Sequence, residues 1–220
     1  SNDDCIGMWS INTFPDNIKE ICPRIHGWSF RLDYSPDGRL MVYSQGDTIK
    51  ISNVDLSDAP YIIISNIREG LKKDYYLQYL SFTPDRKMII AAFGMGFRNV
   101  DPITDRPCFK FWDADTGELI RLLHADSEIE NIAFSPGGEL FAATSMGIET
   151  VKVERGIRSQ FTATSDVYLY DWSAGTLLAK LSGHTKAVND LVFTDEGSKL
   201  VTCSMDNKII VWDVNERKQV

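Results

Sequence analysis

The sequence lacks any apolar run long enough for a membrane-spanning helix, and none of its stretches approaches the eighteen or so residues required. Its first residues, SNDDCIGMW, contain no basic segment followed by an apolar one, so they do not resemble a secretory signal. We therefore expect a soluble intracellular protein, cytoplasmic or alternatively nuclear, that does not enter the membrane.

Cysteine and histidine are also scarce. The four cysteines, Cys5, Cys22, Cys108 and Cys203, form no CxxC pair and have no histidine at metal-ligand spacing. This scatter predicts neither a zinc site nor a disulfide framework, but four free thiols in a reducing compartment. No other segment has the pattern of a cofactor site, so we expect no metal and no cofactor.

An excess of basic charge is the third absence. The chain has 23 Lys and Arg residues against 31 Asp and Glu residues, which gives a net charge of −8. Such a chain repels phosphate backbones and anionic membrane surfaces. The composition therefore argues against nucleic acid and membranes as partners and leaves other proteins as the expected class.

What the sequence does contain is an internal repeat. A phrase that consists of the apolar end of a strand and a set of turn residues occurs four times. Each copy is followed by two further apolar runs, and the second run ends in Trp-Asp or in a degenerate form of that pair. Pro and Gly in these phrases suit a tight reversal between antiparallel strands. A unit of four short strands, repeated, is the pattern of a propeller blade. The four phrases are LDYSPDGRL at 32–40, LSFTPDRKM at 80–88, IAFSPGGEL at 132–140 and LVFTDEGSK at 191–199.

The last copy carries the most specific motif. Gly183-His184, Phe193-Thr194, Asp206 and Trp212-Asp213 stand at the spacings of a WD repeat, and the chain resembles the WD-repeat β-propeller family over nearly its whole length. The resemblance implies an all-β fold of four-stranded antiparallel blades, with four to five blades of a partial ring that in the family usually has seven. The aligned third-strand positions are Trp9, Ser52, Trp112, Tyr170 and Trp212, so two of the five depart from tryptophan.

The resemblance also implies a buried hydrogen-bonded tetrad in the last repeat, formed by His184, Thr202, Asp206 and Trp212. A Thr, His and Asp set could be mistaken for a catalytic triad. In the family these residues satisfy one another's buried polar groups, including the indole N–H. We therefore interpret the tetrad as structural and expect no catalytic residues.

The repeat divides one domain, residues 1–220, into approximate units 1–22, 23–67, 68–123, 124–182 and 183–220, of which the first and last are partial and the last ends at its third strand. Two units are longer than the usual 40 to 45 residues by roughly fifteen to eighteen. The excess lies between the second and third strands, at Gly94 to Cys108 and Met146 to Asp166, and a smaller one lies at Ser65 to Asp74. Strand order predicts that all three lie at one end of adjacent blades.

The sequence thus predicts a non-catalytic protein-interaction scaffold that is part of a larger protein or assembly. The alternatives are a module that recognises phosphorylated or methylated peptides and, less favoured, a propeller enzyme. Within the insertions, basic and aromatic residues are the candidates for contacting an acidic or phosphorylated segment of a partner. They are Phe97, Arg98, Arg106, Lys152, Arg155, Arg158 and Phe161.

Overall fold

A computed structural model describes residues 31–54, 60–71, 75–94, 107–125, 129–144, 148–153, 156–161 and 165–220. The strand expected around Trp9, in the first partial unit, lies outside these residues. The described residues contain no α-helix, and none of their helical segments is long and apolar enough to cross a membrane. The part of the chain that the structure describes is all-β, as the sequence predicted.

Sixteen strands form four antiparallel sheets of four strands each, which we number blades 1 to 4. In blades 1 and 2 the strands pair in sequence order. Blade 1 contains β1 (Leu32–Tyr34), β2 (Leu40–Gln45), β3 (Thr48–Asn53) and β4 (Ile62–Ser65). Blade 2 contains β5 (Tyr76–Phe82), β6 (Met88–Gly94), β7 (Cys108–Asp113) and β8 (Leu119–His124).

Blade 3 has the same meander but is interrupted by a hairpin between its second and third strands. Its own strands are β9 (Ile132–Phe134), β10 (Leu140–Thr144), β13 (Ser165–Asp171) and β14 (Thr176–His184), and the hairpin consists of β11 (Ile148–Val153) and β12 (Gly156–Phe161). Blade 4 contains β15 (Val188–Thr194), β16 (Lys199–Ser204), β17 (Ile209–Asp213) and β18 (Lys218–Gln219). A short 3-10 turn, Asp195–Gly197, joins β15 to β16.

The repeated Ser/Thr-Pro phrase forms the turn between the first and second strands of blades 1 to 3. The hydroxyls of Ser35, Thr83 and Ser135 accept hydrogen bonds of 2.9, 3.1 and 3.1 Å from the first backbone N–H of the following strand. Gly38 and Gly138 take positive φ in these turns, which side chains disfavour. The recurring Ser or Thr before the proline therefore forms the same local hydrogen bond in each of these turns.

Strand register confirms the alignment of the third-strand positions. In every blade, the second residue of the second strand pairs with the residue at the tryptophan position, whether or not that residue is tryptophan. The pairs are Met41 with Ser52, Ile89 with Trp112, Phe141 with Tyr170 and Leu200 with Trp212.

The turn between the third and fourth strands packs onto the preceding blade. Asp113 and Asp171, the aspartates that end the third strands, each accept a backbone N–H at 2.8 Å and so fix these turns. Gly175 follows in the turn of blade 3 with φ of +71°, and a Cβ built on it would lie 2.7 Å from the Arg121 guanidinium of blade 2. Gly117 of blade 2 approaches Ile62 of blade 1 in the same way. The turn between the third and fourth strands therefore packs closely against the fourth strand of the preceding blade.

The core consists of three apolar layers between successive blades. The middle layer is aromatic: Phe141 stacks on Tyr170 at a centroid distance of 4.8 Å and meets Phe109 edge-on at 5.0 Å. Branched aliphatic residues such as Ile51 and Ile89 dominate the first layer, and Trp212 closes the third. Each blade is therefore held mainly by its neighbours.

One expectation about the last blade was wrong. The repeat pattern predicted that the last unit ends at its third strand, but Lys218 and Gln219 of β18 pair with Asp213 and Trp212 and complete a fourth four-stranded sheet. The strand has only two residues, both polar and exposed, so it gives no apolar signal. The boundaries of the repeat units otherwise stay predictions.

Candidate functional site

The predicted insertion in blade 3 is confirmed and forms a hairpin. β10 pairs directly with β13, from Leu140 opposite Asp171 to Thr144 opposite Val167, so the sheet closes without the residues in between. Between them lie β11 and β12, which among the described strands pair only with each other. The blade therefore carries the hairpin as an addition to a complete sheet.

Three of the seven predicted partner-binding residues lie on this hairpin. Lys152 is opposite Ile157, Arg158 is opposite Val151, and Phe161 is opposite Ile148 at the open end. Arg155, between β11 and β12, lies outside the described residues, as do Phe97, Arg98 and Arg106 of the other large insertion. That insertion nevertheless lies between Gly94, where β6 ends, and Cys108, where β7 begins.

Contacts in blade 1 support the predicted meeting of these segments at one end of the sheets. Asp47 lies in the turn between β2 and β3, and Arg68 lies in the connection from blade 1 to blade 2. The Arg68 guanidinium donates to the Asp47 carboxylate at 2.9 Å. The turn that joins second and third strands therefore lies beside a blade-to-blade connection, as the strand order requires.

Lys110 is a buried cation that the sequence analysis missed. Its side chain on β7 is held beside the connection, where its Nζ donates to the carbonyl oxygens of Ile67 at 2.9 Å and Glu69 at 2.7 Å. The residue is 2% exposed, and its amine lies 5.8 Å from the Phe93 ring centroid. Burial lowers the pKa of the Lys110 amine, although neighbouring Cys108 and Glu69 partly oppose this. Lys110 thus fastens the blade 1 to blade 2 connection to blade 2.

Cys108 begins the same strand and is fully buried. Burial raises the pKa of its thiol to about 11, and the charge of Lys110 only partly offsets that effect. At neutral pH the sulfur is therefore protonated and out of reach of solvent, which makes it a poor nucleophile and a poor metal ligand. Among the described residues, no three His, Cys, Asp or Glu side chains are grouped so that they could hold a metal ion.

The four predicted tetrad residues form one continuous hydrogen-bonded network, in which His184 at the end of blade 3 contacts Thr202, Asp206 and Trp212 of blade 4. The two nitrogens of His184 lie 2.9 Å from the Asp206 carboxylate and 2.8 Å from the Thr202 hydroxyl. The indole N–H of Trp212 donates to the same hydroxyl at 2.9 Å. His184 ends β14, so its ring ties the connection from blade 3 to the second and third strands of blade 4.

The burial of this hydrogen-bonded network shows whether the Thr202 hydroxyl has a structural or a catalytic role. Thr202 is 1% exposed, and its oxygen is already engaged by both the imidazole and the indole. A nucleophile must reach its substrate, and this oxygen cannot. The arrangement satisfies buried polar groups and is not built to attack a bond.

The network belongs to blade 4 alone among the described blades. The positions that correspond to Thr202, two residues after the partner of the third-strand residue, hold Tyr43, Ala91 and Ala143 in blades 1 to 3. Blade 2 instead uses Lys110 to attach its incoming connection. The same mechanical task is thus performed by different chemistry in different blades.

Asp206 gives the tetrad a dependence on pH. Burial raises the pKa of its carboxyl, but hydrogen bonds from the Thr185 backbone, the His184 ring and the Lys208 backbone outweigh it, so the net pKa is well below the ordinary value of 3.8. A group whose pKa is depressed in the folded state stabilises that state above its unfolded pKa and loses this contribution as the pH falls.

We therefore expect that in the Asp206→Asn variant the free energy of unfolding falls less steeply as the pH is lowered into the acid range. Urea unfolding of both proteins between neutral pH and pH values below about 4 measures this. The wild type should lose its advantage over the variant as the pH falls through the region below 3.8. A constant difference at every pH would show that the Asp206 charge does not contribute.

The sequence comparison agrees with the geometry of blade 4. A family model described as "WD domain, G-beta repeat" matches residues 175–213. The matched segment runs from the last turn of blade 3 to the end of β17 and contains all four tetrad residues. Residues 175–213 therefore have the sequence of a WD repeat. Blades 1 and 2 and the first three strands of blade 3 lie outside the matched segment, but the blades share the same sheet order and register.

The curated proteins that are similar to this chain match it over a short part of their own length. WD repeat-containing protein 55 homologs of Drosophila willistoni and Drosophila melanogaster are each 37% identical over 67 residues, which is 30% of this chain and 13% and 14% of theirs. Periodic tryptophan protein 2 of Saccharomyces cerevisiae is 39% identical over 46 residues, 21% of this chain and 5% of that protein. The likeness therefore concerns a repeat and not a whole protein.

Proposed function

We propose that this chain is a non-catalytic protein-interaction scaffold, part of a larger protein or assembly, whose partner binds at the β11–β12 hairpin. The observation that carries the proposal is that blade 3 completes its four-stranded sheet without the hairpin. Segments that add nothing to a core and extend from a rigid scaffold are where binding residues concentrate.

The rigidity of the scaffold supports this role. Lys110 of blade 2 fixes the connection from blade 1, and His184 at the end of β14 fixes the connection from blade 3 to blade 4. The turns between third and fourth strands of blades 2 and 3 pack against the preceding blades. Loops on such a support keep their relative positions, which lowers the entropy lost on binding.

Charge supports an acidic partner segment. Residues 146–164 carry three basic side chains, Lys152, Arg155 and Arg158, against two acidic ones, Glu149 and Glu154. Their net charge is +1, so the rest of the chain carries −9, since −8 minus +1 is −9. Arginines can pair with carboxylates or phosphates in a bidentate manner, and a segment of either kind is repelled by the rest of the surface.

Charge reversal on the hairpin tests the proposal. We expect Arg155→Glu with Arg158→Glu to abolish or strongly reduce the specific capture of partner proteins from native lysate, quantified by mass spectrometry. Replacing residues 146–164 with Asn-Gly should reduce capture in the same way, because it removes the hairpin. The variant should still fold, because β10 and β13 remain paired and Asn-Gly suits the turn between them.

A matched control reverses two exposed basic residues at the opposite end of the sheets. Arg39 and Lys87 lie in the turns between first and second strands of blades 1 and 2. Arg39→Glu with Lys87→Glu changes the net charge by the same amount and should leave capture unchanged. Equal capture by wild type and by both hairpin variants, each shown to be folded, would disprove the assignment of the binding surface.

A further inference from the structure

The edge strands of the four blades are all short or irregular. β1, β4, β9 and β18 contain at most four residues each. The longer edge strands, β5, β8, β14 and β15, each contain a bulge at which the register shifts. Short and bulged edges resist the addition of a further strand. Single extra residues lie at Gln78, Ile120, Leu178 and Asn189.

Contacts between blades also use the backbone at these bulges. The Arg31 guanidinium of blade 1 donates to the carbonyl oxygen of Gln78 in blade 2 at 2.7 Å. The side-chain amide of Asn131 in blade 3 donates to the carbonyl oxygen of Asn189 in blade 4 at 2.6 Å. The irregular edges of the blades therefore serve the packing of neighbouring blades.

The hairpin has neither kind of protection. β11 and β12 contain six residues each and pair without a register shift, from Ile148 opposite Phe161 to Val153 opposite Gly156. Residues 148–161 contain no proline. Each of the two strands has one edge that no described strand covers. A two-stranded ribbon is at most marginally stable alone, so a third strand would stabilise it by a second row of hydrogen bonds.

Charge distinguishes the two edges of the hairpin. β12 contains Arg158 and no acidic residue, whereas β11 contains both Glu149 and Lys152. Opposite charges at facing positions of neighbouring strands stabilise a sheet, and like charges destabilise it. An acidic segment therefore fits beside β12 better than beside β11.

We propose that β12 binds an extended acidic segment of the partner protein as a third strand of the hairpin. The inference rests on the proposed function, because it states how the partner occupies the hairpin. Main-chain hydrogen bonds supply the affinity of such a complex, and alternate side chains supply its specificity. The added strand is antiparallel to β12, since antiparallel pairing is the more stable kind.

The register of β12 defines the sequence that fits. Successive residues of a strand belong to opposite faces, so Arg158 is on one face of β12 and Ile157 and Phe161 are on the other. A matching segment has an acidic residue opposite Arg158 and apolar residues opposite Ile157 and Phe161. Read from its N-terminus, the segment is apolar, any, any, acidic, apolar.

The synthetic peptide EVTTEVE has this pattern and tests the proposal on the full chain. At saturating peptide, the backbone amides of every second residue of β12 should exchange several-fold more slowly, as measured by NMR. The reason is that only alternate residues of a strand direct their N–H groups toward one neighbour. The peptide KVTTKVK, which differs only in charge, should leave these amides unchanged.

Backbone methylation separates strand addition from attraction between charges. Two versions of EVTTEVE keep the same side chains, and one is N-methylated at both valines while the other is N-methylated at the residue after each valine. Only one of these two sets of amides faces β12 in an added strand, so one version should bind like the parent peptide and the other several-fold more weakly. Equal binding of the two versions would overturn the proposal.

The experiments distinguish this inference from the proposed function. If removal of the hairpin abolishes partner capture but EVTTEVE slows the exchange of no β12 amide, the partner binds the hairpin in another way and strand addition is wrong. Slow exchange of all β12 amides before peptide is added would also overturn it. Another segment of the chain would then cover the edge, or a second copy if the exchange slows further with protein concentration. Normal capture by the hairpin variants would instead disprove the proposed function.

Discussion

Replacing His184 with alanine should lower the free energy of unfolding by about 3 kcal/mol, because each buried polar group left without its partner costs about 1–3 kcal/mol. The change removes the one side-chain partner of the Asp206 carboxylate, which keeps its two backbone donors, and one partner of the buried Thr202 hydroxyl. Urea unfolding followed by tryptophan fluorescence measures the loss.

The control for this variant is another histidine of the same chain. His124 ends β8 and is exposed, so His124→Ala should change stability by less than about 0.5 kcal/mol. Partner capture through the hairpin should survive His184→Ala at temperatures where the protein is folded. Equal stability of the two histidine variants would mean that the tetrad does not hold blade 4 together.

Lys110→Ala should be the second large effect, about 2–4 kcal/mol, because it strands the carbonyl oxygens of Ile67 and Glu69 and removes a buried aliphatic stem. The matched control is Lys50, which stands at the same position of blade 1, two residues before Ser52, and is only half-buried. Lys50→Ala should cost less than about 1 kcal/mol.

Hydrogen exchange locates the expected damage. Loss of the Lys110 amine should speed exchange in the connection at 66–71, while blade 4 keeps its protection. If Lys50→Ala and Lys110→Ala destabilise the protein equally, the connection is not fastened by the lysine and some other contact holds it.

The repeat was readable from sequence because its signals are local. The turn phrases encode hydrogen bonds within six residues, such as that from Leu40 to Ser35, and the third-strand positions follow from a fixed register. Even Ser52 was aligned correctly although it is not tryptophan. It is fully buried opposite Met41, and among the described contacts its hydroxyl has no hydrogen-bond partner.

What sequence reasoning missed depends on contacts that are distant along the chain or on weak patterns. In the sequence, Lys110 is a single lysine within the otherwise apolar run CFKFW, and nothing near it indicates a partner. Its role depends on a carbonyl oxygen more than forty residues away. β18 is too short and polar to be recognised. The segment at 148–161 was located by counting residues, but its hairpin geometry had no turn signature such as Asn-Gly.

In blades 2 and 3, the tightly packed turns at Gly117 and Gly175 leave little room for added residues between the third and fourth strands. A Cβ built on Gly117 would lie 3.1 Å from the Ile62 side chain, and one built on Gly175 would lie 3.1 Å from the Leu123 side chain, so added length there would displace side chains of the preceding blade. At the other end, blade 3 accommodates a whole hairpin without a change in the pairing of its sheet. Peptide tags or grafted epitopes should therefore be accepted between second and third strands and rejected between third and fourth.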